Sequence, residues 1–187
     1  MRLFLAINFP EAVRAAVHHA VQPLRDAAPR VGWTEAERLH LTMKFLGEQP
    51  ESVADDVSNA VSTAVARHRP FDVTITGLGA FPSFRRARIV WIGLSADPRL
   101  ELLHHDVELA CEAVGFAPEG RTFRPHVTLG RLRQPGKVDE LRALSTAARA
   151  VTFVEQVMVD RVELMESRPG KGGPRYVTRA AAMMETL

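Results

Sequence analysis

The stretch RLHLTMKFLG, residues 38–47, decides the fold because its side chains alternate between apolar and polar over the length of one strand. One face is predicted to carry Leu39, Leu41, Met43 and Phe45, and the other His40, Thr42 and Lys44. This alternation is typical of a half-buried strand whose apolar face packs on a core. The polar face is unusual, because an imidazole, a hydroxyl and an ammonium follow one another at about 6.5–7 Å spacing. It predicts a proton-transfer group beside two donors for an anion.

A second stretch, RPHVTLGR at residues 124–131, repeats the arrangement. Val127 and Leu129 alternate with Arg124, His126 and Thr128, so both stretches read His-apolar-Thr-apolar on a predicted strand with a basic neighbour. The two histidines are 86 positions apart (126 minus 40). An internal duplication into two similar lobes explains the repetition.

Composition is that of a globular protein with one domain, which we take as a single bilobal unit over residues 1–187. Apolar residues make up 46% and charged residues 25%, and no apolar run reaches the roughly 18 residues of a membrane-spanning helix. The opening residues have too short an apolar run for a signal peptide and predict a first strand, so we expect a cytoplasmic protein. Cys111 is the only cysteine, which excludes an internal disulfide and a thiolate metal cluster.

The chain is mildly basic, with a net charge of +2 and a pI near 9.1. This excess of positive charge is too small to indicate a large surface for binding duplex nucleic acid. Its distribution is more informative than its total. One arginine cluster precedes a predicted strand and another brackets the second motif: Arg85, Arg86 and Arg88, then Arg121, Arg124, Arg131 and Arg133.

Strands and helices alternate irregularly along the chain, which predicts an α+β fold with largely antiparallel sheets. Strands are expected at 2–9, 71–76, 88–94, within 151–166 and at 175–183, besides the two motif strands. Helices are expected from Glu11 to about Leu24, with Pro23 bending or ending the first, and at 51–68, 97–115 and 138–149.

Histidines outside the motifs have ordinary structural interpretations. His68 is predicted in the last turn of a helix, where a cation suits the helix dipole. His104 and His105 are adjacent on a helix without a partner at metal-ligand spacing, so both are predicted at the surface.

Two strands that face each other across a groove would bring two imidazoles and two threonine hydroxyls into one space. A histidine pKa near 6.5 allows one ring to accept a proton while the other donates one, without a metal. The hydroxyls can donate to phosphoryl oxygens, and Lys44 or an arginine can balance the developing charge. This geometry suits in-line displacement at phosphorus.

The motifs HLTM (40–43) and HVTL (126–129) resemble the signature of the 2H phosphoesterase superfamily. Their flanks, LHLTMKFLGE (39–48) and FRPHVTLGR (123–131), are similar to its 2′-5′ RNA ligase-like branch, the bacterial and archaeal RNA 2′,3′-cyclic phosphodiesterases. The opening RLFLAI, residues 2–7, and the segments FP (81–82) and VW (90–91) resemble the same branch, so the likeness covers nearly the whole chain.

The resemblance implies a fold of two pseudo-symmetric lobes, each a mainly antiparallel sheet with helices outside, and one motif per lobe facing a central groove. It implies hydrolysis of RNA 2′,3′-cyclic phosphate ends or cyclic nucleotides to 2′-phosphomonoesters, without metal or other cofactor. His126 would be the proton acceptor and His40 the proton donor, while Thr42 and Thr128 hold the phosphate. Some relatives also join RNA ends through a 2′-5′ linkage without ATP. A monomer without a membrane partner is expected.

Further phosphate-binding candidates are Lys44, Arg124 and Arg131, and the candidates for stacking on a base are Trp33, Phe84 and Phe123. Three alternatives remain open at this point. One is a metallohydrolase that uses both histidines, and another is a non-catalytic RNA- or nucleotide-binding module. The third is a phosphodiesterase of a small cyclic phosphate.

Overall fold

The computed structural model describes residues 1–186. In that range the chain forms nine strands and five α-helices, in this order: β1 (Arg2–Asn8), α1 (Glu11–Ala20), α2 (Gln22–Ala27), β2 (Gly32–Trp33), β3 (His40–Glu48), α3 (Glu51–Val65), β4 (Phe71–Phe81), β5 (Ile89–Leu94), α4 (Pro98–Ala113), β6 (His126–Arg131), α5 (Val138–Ala150), β7 (Val154–Val159), β8 (Arg161–Arg168) and β9 (Arg175–Met183). Two short 3₁₀ helices, Ala36–Arg38 and Phe84–Arg86, precede β3 and β5.

Every strand pairing is antiparallel, and the sheet order is β7-β4-β5-β6-β3-β1-β8-β9, with β2 added beside β6. The motif strands β3 and β6 are the innermost pair, joined by the single register pair Leu41 and Val127. The same order of elements precedes each motif strand along the chain. It is a neighbouring strand (β1 or β5), then a helical segment, then the motif strand, which pairs antiparallel with that neighbouring strand. The predicted α+β fold with two pseudo-symmetric lobes is therefore confirmed.

Helix boundaries follow the local chemistry of the sequence. The first predicted helix divides at Val21 into α1 and α2, because Pro23 lies in the first turn of α2, where its missing N–H is no loss. Asp97 caps α4 by accepting a hydrogen bond from the Arg99 amide at 2.8 Å. Within residues 1–186, no helix is long and apolar enough to cross a bilayer.

One face of the sheet packs on all five helices and the other face carries the motif histidines. Leu3, Leu5 and Ile7 of β1 belong to the large helix-side core. Phe4 and Ala6, which alternate with them, form a small cluster with Met165 on the opposite face. The strand period of two thus separates a structural face from a face available for chemistry.

The alternation predicted for the first motif strand fails after Met43. The β1–β3 register passes from Thr42 directly to Lys44, so Met43 forms a bulge that shifts the phase of the strand. Phe45, predicted on the core side, is 66% exposed, whereas Lys44, predicted beside His40 and Thr42, is only 7% exposed. A period-two analysis cannot anticipate an extra residue in a strand.

Lys44 is held in a buried ion pair with α4. Its Nζ donates to Glu108 Oε2 at 2.8 Å and to the Ala117 carbonyl at 2.9 Å. The same carboxylate oxygen accepts a hydrogen bond from the Glu119 amide at 3.0 Å. These bonds fasten the segment between α4 and β6 to the first motif strand, so the Lys44 ammonium has a structural role.

His68 also departs from its prediction. α3 ends at Val65, so His68 lies beyond the helix, and its Nε2 is 2.8 Å from the carboxylate of Asp106 on α4. A direct contact between the segment after α3 and helix α4, rather than the dipole of α3, therefore accounts for this residue.

We expect Lys44→Met to destabilise the fold by about 3–5 kcal/mol, because it leaves the Glu108 carboxylate buried without its cation. The double variant K44M/E108L should recover most of that loss, since it removes both buried charges. Urea unfolding measures the free energy of unfolding of both variants. Asp160→Asn is the control: it breaks the ion pair with the exposed Arg161, and a pair of this kind contributes less than about 1 kcal/mol. A Lys44→Met protein as stable as the parent would contradict this account.

Candidate active site

The two motif histidines lie on the same face of the sheet on either side of its centre. Leu41 and Val127 are each 1% exposed and face the helix-side core. Their neighbours His40 and Thr42, and His126 and Thr128, therefore face the other way. Thr42, His126 and Thr128 border a groove of about 720 Å³, whose wall also includes Phe81, Ile89, Phe123, Arg124 and Arg131. His40 lies close enough for the charge of His126 to lower its pKa.

The two imidazoles are anchored in the same way. Nδ1 of His40 lies 2.7 Å from the Arg38 carbonyl oxygen, and Nδ1 of His126 lies 2.7 Å from the Arg124 carbonyl oxygen. A carbonyl only accepts, so Nδ1 carries the hydrogen in each ring. This tautomer leaves Nε2 of both rings as the site that gains or loses a proton. Nε2 of His40 also contacts the Thr42 hydroxyl at 3.1 Å.

Aromatic side chains enclose both rings. Phe4 and Tyr176 lie 5.1 and 5.2 Å from the His40 ring centroid, and Phe81 and Trp91 lie 5.1 and 6.3 Å from that of His126. Sequence reasoning missed these four residues. Alternation placed Phe4 on the correct face of its strand, but only the pairing of strands shows which residue stands beside which histidine.

Burial gives both histidines a lowered pKa. For His40 the lost hydration of the charged ring is the main cause; its bond to the Arg38 carbonyl opposes the shift, and the charges of Arg131 and His126 add to it. The pKa of His126 is lowered first by burial and then by Arg131, against its bond to the Arg124 carbonyl. Both rings thus favour the neutral form, and Arg131 acts on both.

The candidate phosphate ligands divide into two groups. Thr42, Thr128, Arg124 and Arg131 all border the groove, as predicted, with both arginines exposed. Lys44 reaches the groove wall but its ammonium is engaged by Glu108.

The stacking candidates divide as well. Trp33 packs against Gly130 and donates from Nε1 to the Ala28 carbonyl at 2.8 Å, and Phe84 lies in the connection between β4 and β5 outside the groove wall. Only Phe123 of the three borders the groove, where it stacks on His104 with centroids 3.8 Å apart and an angle of 4°.

His104 is therefore not the surface residue that its helical position predicted. It lies in the groove wall, and burial lowers its pKa. Its Nε2 is 3.8 Å from Glu108. The missed signal was tertiary, because α4 crosses beside β3 and brings this helix face to the groove.

Other chemistry-bearing residues are structural. Burial raises the pKa of the Cys111 thiol to about 11, so the thiol stays protonated and unreactive near neutral pH. Within the described part of the chain, no three His, Cys, Asp or Glu side chains converge as ligands for a metal ion.

Comparison with known proteins gives one family. The model of the 2′-5′ RNA ligase superfamily matches residues 9–171. A protein named RNA 2′,3′-cyclic phosphodiesterase from Methanothermobacter thermautotrophicus is 32% identical over 176 residues, covering 94% of this chain and 95% of its own length.

Solved structures give the same result. A Thermus thermophilus protein is similar with a TM-score of 0.78 and 28% identity, covering 98% of this chain and 97% of the other. Escherichia coli LigT complexed with 3′-AMP is similar with a TM-score of 0.74 and 25% identity, covering 99% and 98%. Groove, paired motifs and relatives agree, and the chain belongs to the 2′-5′ RNA ligase superfamily.

Proposed function

We propose that this protein is an RNA 2′,3′-cyclic phosphodiesterase that hydrolyses cyclic phosphate ends to 2′-phosphomonoesters by general acid–base catalysis from two histidines. The observation that carries the proposal is the matched pair of imidazoles. Both are fixed through Nδ1 to a carbonyl two residues earlier, and they lie on the same sheet face, close enough for the charge of His126 to lower the pKa of His40.

In the reaction, Nε2 of His126 accepts a proton from a water molecule as its oxygen bonds to phosphorus. The bond from phosphorus to the ribose 3′-oxygen breaks, and protonated His40 delivers its Nε2 proton to that oxygen. The products are a 2′-phosphomonoester and a free 3′-hydroxyl. The pair ends with its protonation reversed, and exchange with solvent restores the starting state.

The order of acid and base follows the family resemblance, and the surroundings of the two rings support it. Nε2 of His40 is next to the Thr42 hydroxyl, in a more enclosed position. In residues 1–186, Nε2 of His126 has no protein partner within hydrogen-bond distance, and the ring borders the groove, where water can reach it. His126 therefore suits the residue that activates water.

The threonines and Arg131 stabilise the phosphoryl group. Hydroxyls of Thr42 and Thr128 donate to the non-bridging oxygens from the two motif strands, and Arg131 offsets the developing negative charge. The bound phosphate also raises the pKa of one neutral histidine, because an anion nearby favours imidazolium. Substrate itself thereby supplies the protonated acid.

The relatives support both the reaction and the substrate class. The Methanothermobacter thermautotrophicus relative is named for hydrolysis of RNA 2′,3′-cyclic phosphates, and LigT has been crystallised with 3′-AMP. With an RNA 5′-hydroxyl in place of water, the same displacement forms a 2′-5′ linkage without ATP, since the cyclic diester supplies the leaving group. We include this ligation in the proposal as a side reaction of the same groove.

The direct test incubates the protein with a 2′,3′-cyclic nucleotide and with a cyclic-phosphate-ended oligonucleotide, both in excess EDTA. We expect a 2′-phosphate product from both. Either His40→Ala or His126→Ala should lower kcat by about 10²–10⁴, and Thr42→Ala or Thr128→Ala by less.

His105→Ala is the matched control. His105 is exposed and lies outside the groove wall, so this substitution should leave kcat unchanged. Activity lost in EDTA would favour a metallohydrolase. Binding without turnover in the parent would favour a binding module, and turnover of the mononucleotide alone would favour a small cyclic phosphate as substrate.

We also predict a bell-shaped pH profile of kcat/KM whose maximum lies on the acid side of pH 6.5. Both histidine pKa values are lowered by burial and by Arg131, so the imidazolium form disappears as pH rises through values below 6.5. Arg131→Gln removes a charge that disfavours imidazolium, so both pKa values should rise and the maximum should move to higher pH.

The charge-preserving Arg131→Lys is the control, and its profile should stay near that of the parent even if its height falls. A profile that is flat across roughly pH 5–9 would contradict catalysis by two titrating histidines. A maximum that does not move in Arg131→Gln would contradict the electrostatic role of Arg131.

A further inference from the structure

A second cavity of about 530 Å³ lies outside the groove, between the 3₁₀ helix Phe84–Arg86 and α5. Three of the residues that line it are arginines, Arg85, Arg142 and Arg149, and none is acidic. Phe84 and Val138, which is 70% exposed, supply apolar surface beside the guanidinium groups. Arginines around an aromatic and aliphatic floor suit a single-stranded nucleic acid, whose phosphates pair with guanidinium while its bases stack.

The cavity is separated from one end of the groove by a short stretch of chain. β6 runs from His126 to Arg131, about 17 Å at 3.3 Å per residue, so Arg131 marks the end opposite Phe123. Ile89, the register partner of Arg131, also borders the groove. Arg85 is four residues before Ile89, and the chain between them can span at most about 14 Å.

Two further arginines lie on the chain segments that connect groove residues to cavity residues, Arg88 before Ile89 and Arg133 after Arg131. Arg88 and Arg133 are exposed on the two segments that meet there, where the Leu132 amide donates to the Arg88 carbonyl at 2.9 Å. In residues 1–186, neither Arg85 nor Arg149 has a carboxylate within ion-pair distance, whereas Arg142 is 3.9 Å from Asp139. Two of the three arginines that line the cavity thus form no ion pair within the described residues.

The opposite end of the groove has a different character. It contains Phe123, whose ring stacks on His104, and charges of both signs: Glu108, which is paired with Lys44, and Glu119, together with Arg121 and Arg124. The aromatic ring suits the terminal base. With that base at Phe123, the RNA strand leaves the groove past Arg131, on the side of a cavity that has arginines and no carboxylate in its lining.

We infer that the cavity bordered by Arg85, Arg142 and Arg149 binds the RNA upstream of the cyclic phosphate end, so that the protein prefers oligonucleotides to mononucleotides. This inference rests on the proposed function and adds a second contact region to it. Such contacts are mainly to phosphates, so they increase affinity for RNA of any sequence and weaken as salt rises.

The test compares kcat/KM for a 2′,3′-cyclic mononucleotide and for a single-stranded hexanucleotide ending in a 2′,3′-cyclic phosphate, over a series of salt concentrations. We expect the parent to prefer the hexanucleotide at low salt. R85A/R149A should lose on the order of tenfold in kcat/KM for the hexanucleotide and change by less than about twofold for the mononucleotide. Its salt slope for the hexanucleotide should fall by about 1.4, at 0.7 per phosphate contact.

Two further variants separate charge position from total charge. R67A/R69A removes two exposed arginines that follow α3, outside the groove wall and the cavity, and should resemble the parent. R85K/R149K keeps both charges and should retain most of the salt slope. Equal losses in R67A/R69A and R85A/R149A would overturn the inference, because net charge alone would then explain the effect.

Loss of mononucleotide turnover would reveal that R85A/R149A fails to fold. In that case the measurements on the parent protein still test the inference. A parent that hydrolyses both substrates with equal kcat/KM and equal salt dependence overturns the inference and leaves the proposed function intact. A parent that hydrolyses neither overturns the proposed function, and the inference with it.

Discussion

The antiparallel pairing of Leu41 with Val127 is the constraint on which the site depends. Both side chains are buried in the core on the helix side of the sheet, and the pleat then directs the residues on either side of them to the other face. Because a slip of one residue reverses every side chain of a strand, the cost of exposing two core residues keeps His40 and His126 on the sheet face opposite the helices.

For the proposed acid–base reaction, this arrangement supplies two imidazoles that are oriented alike. Carbonyl oxygens at Arg38 and Arg124 orient both rings by the same local geometry, a contact between residues two apart in an extended segment. Burial favours the neutral imidazole in both, so in the proposed reaction the bound phosphate is what favours protonation of one ring. The pseudo-symmetry supplies two equivalent groups, and their unequal surroundings differentiate them.

The groove is polarised by residues outside the motifs. Glu108 is neutralised by Lys44, which borders the groove at the same end. Phe123 and His104 stack at this end, while Arg131 marks the other. One end of the groove therefore offers an aromatic stack and the other an exposed arginine.

Strand periodicity and local punctuation in the sequence determined the α+β fold, the division of the first helix at Pro23, the Asp97 cap and the facing of both His-x-Thr motifs. These features depend on contacts between residues that are close in sequence, so a single stretch of sequence is enough to predict them. Phe45, His68 and His104 were misassigned because a bulge and packing against distant helices depend on partners far away in the chain. Only the tertiary structure decided which aromatic rings enclose the histidines and where the groove ends, since strand order sets those neighbours and periodicity carries no information about it.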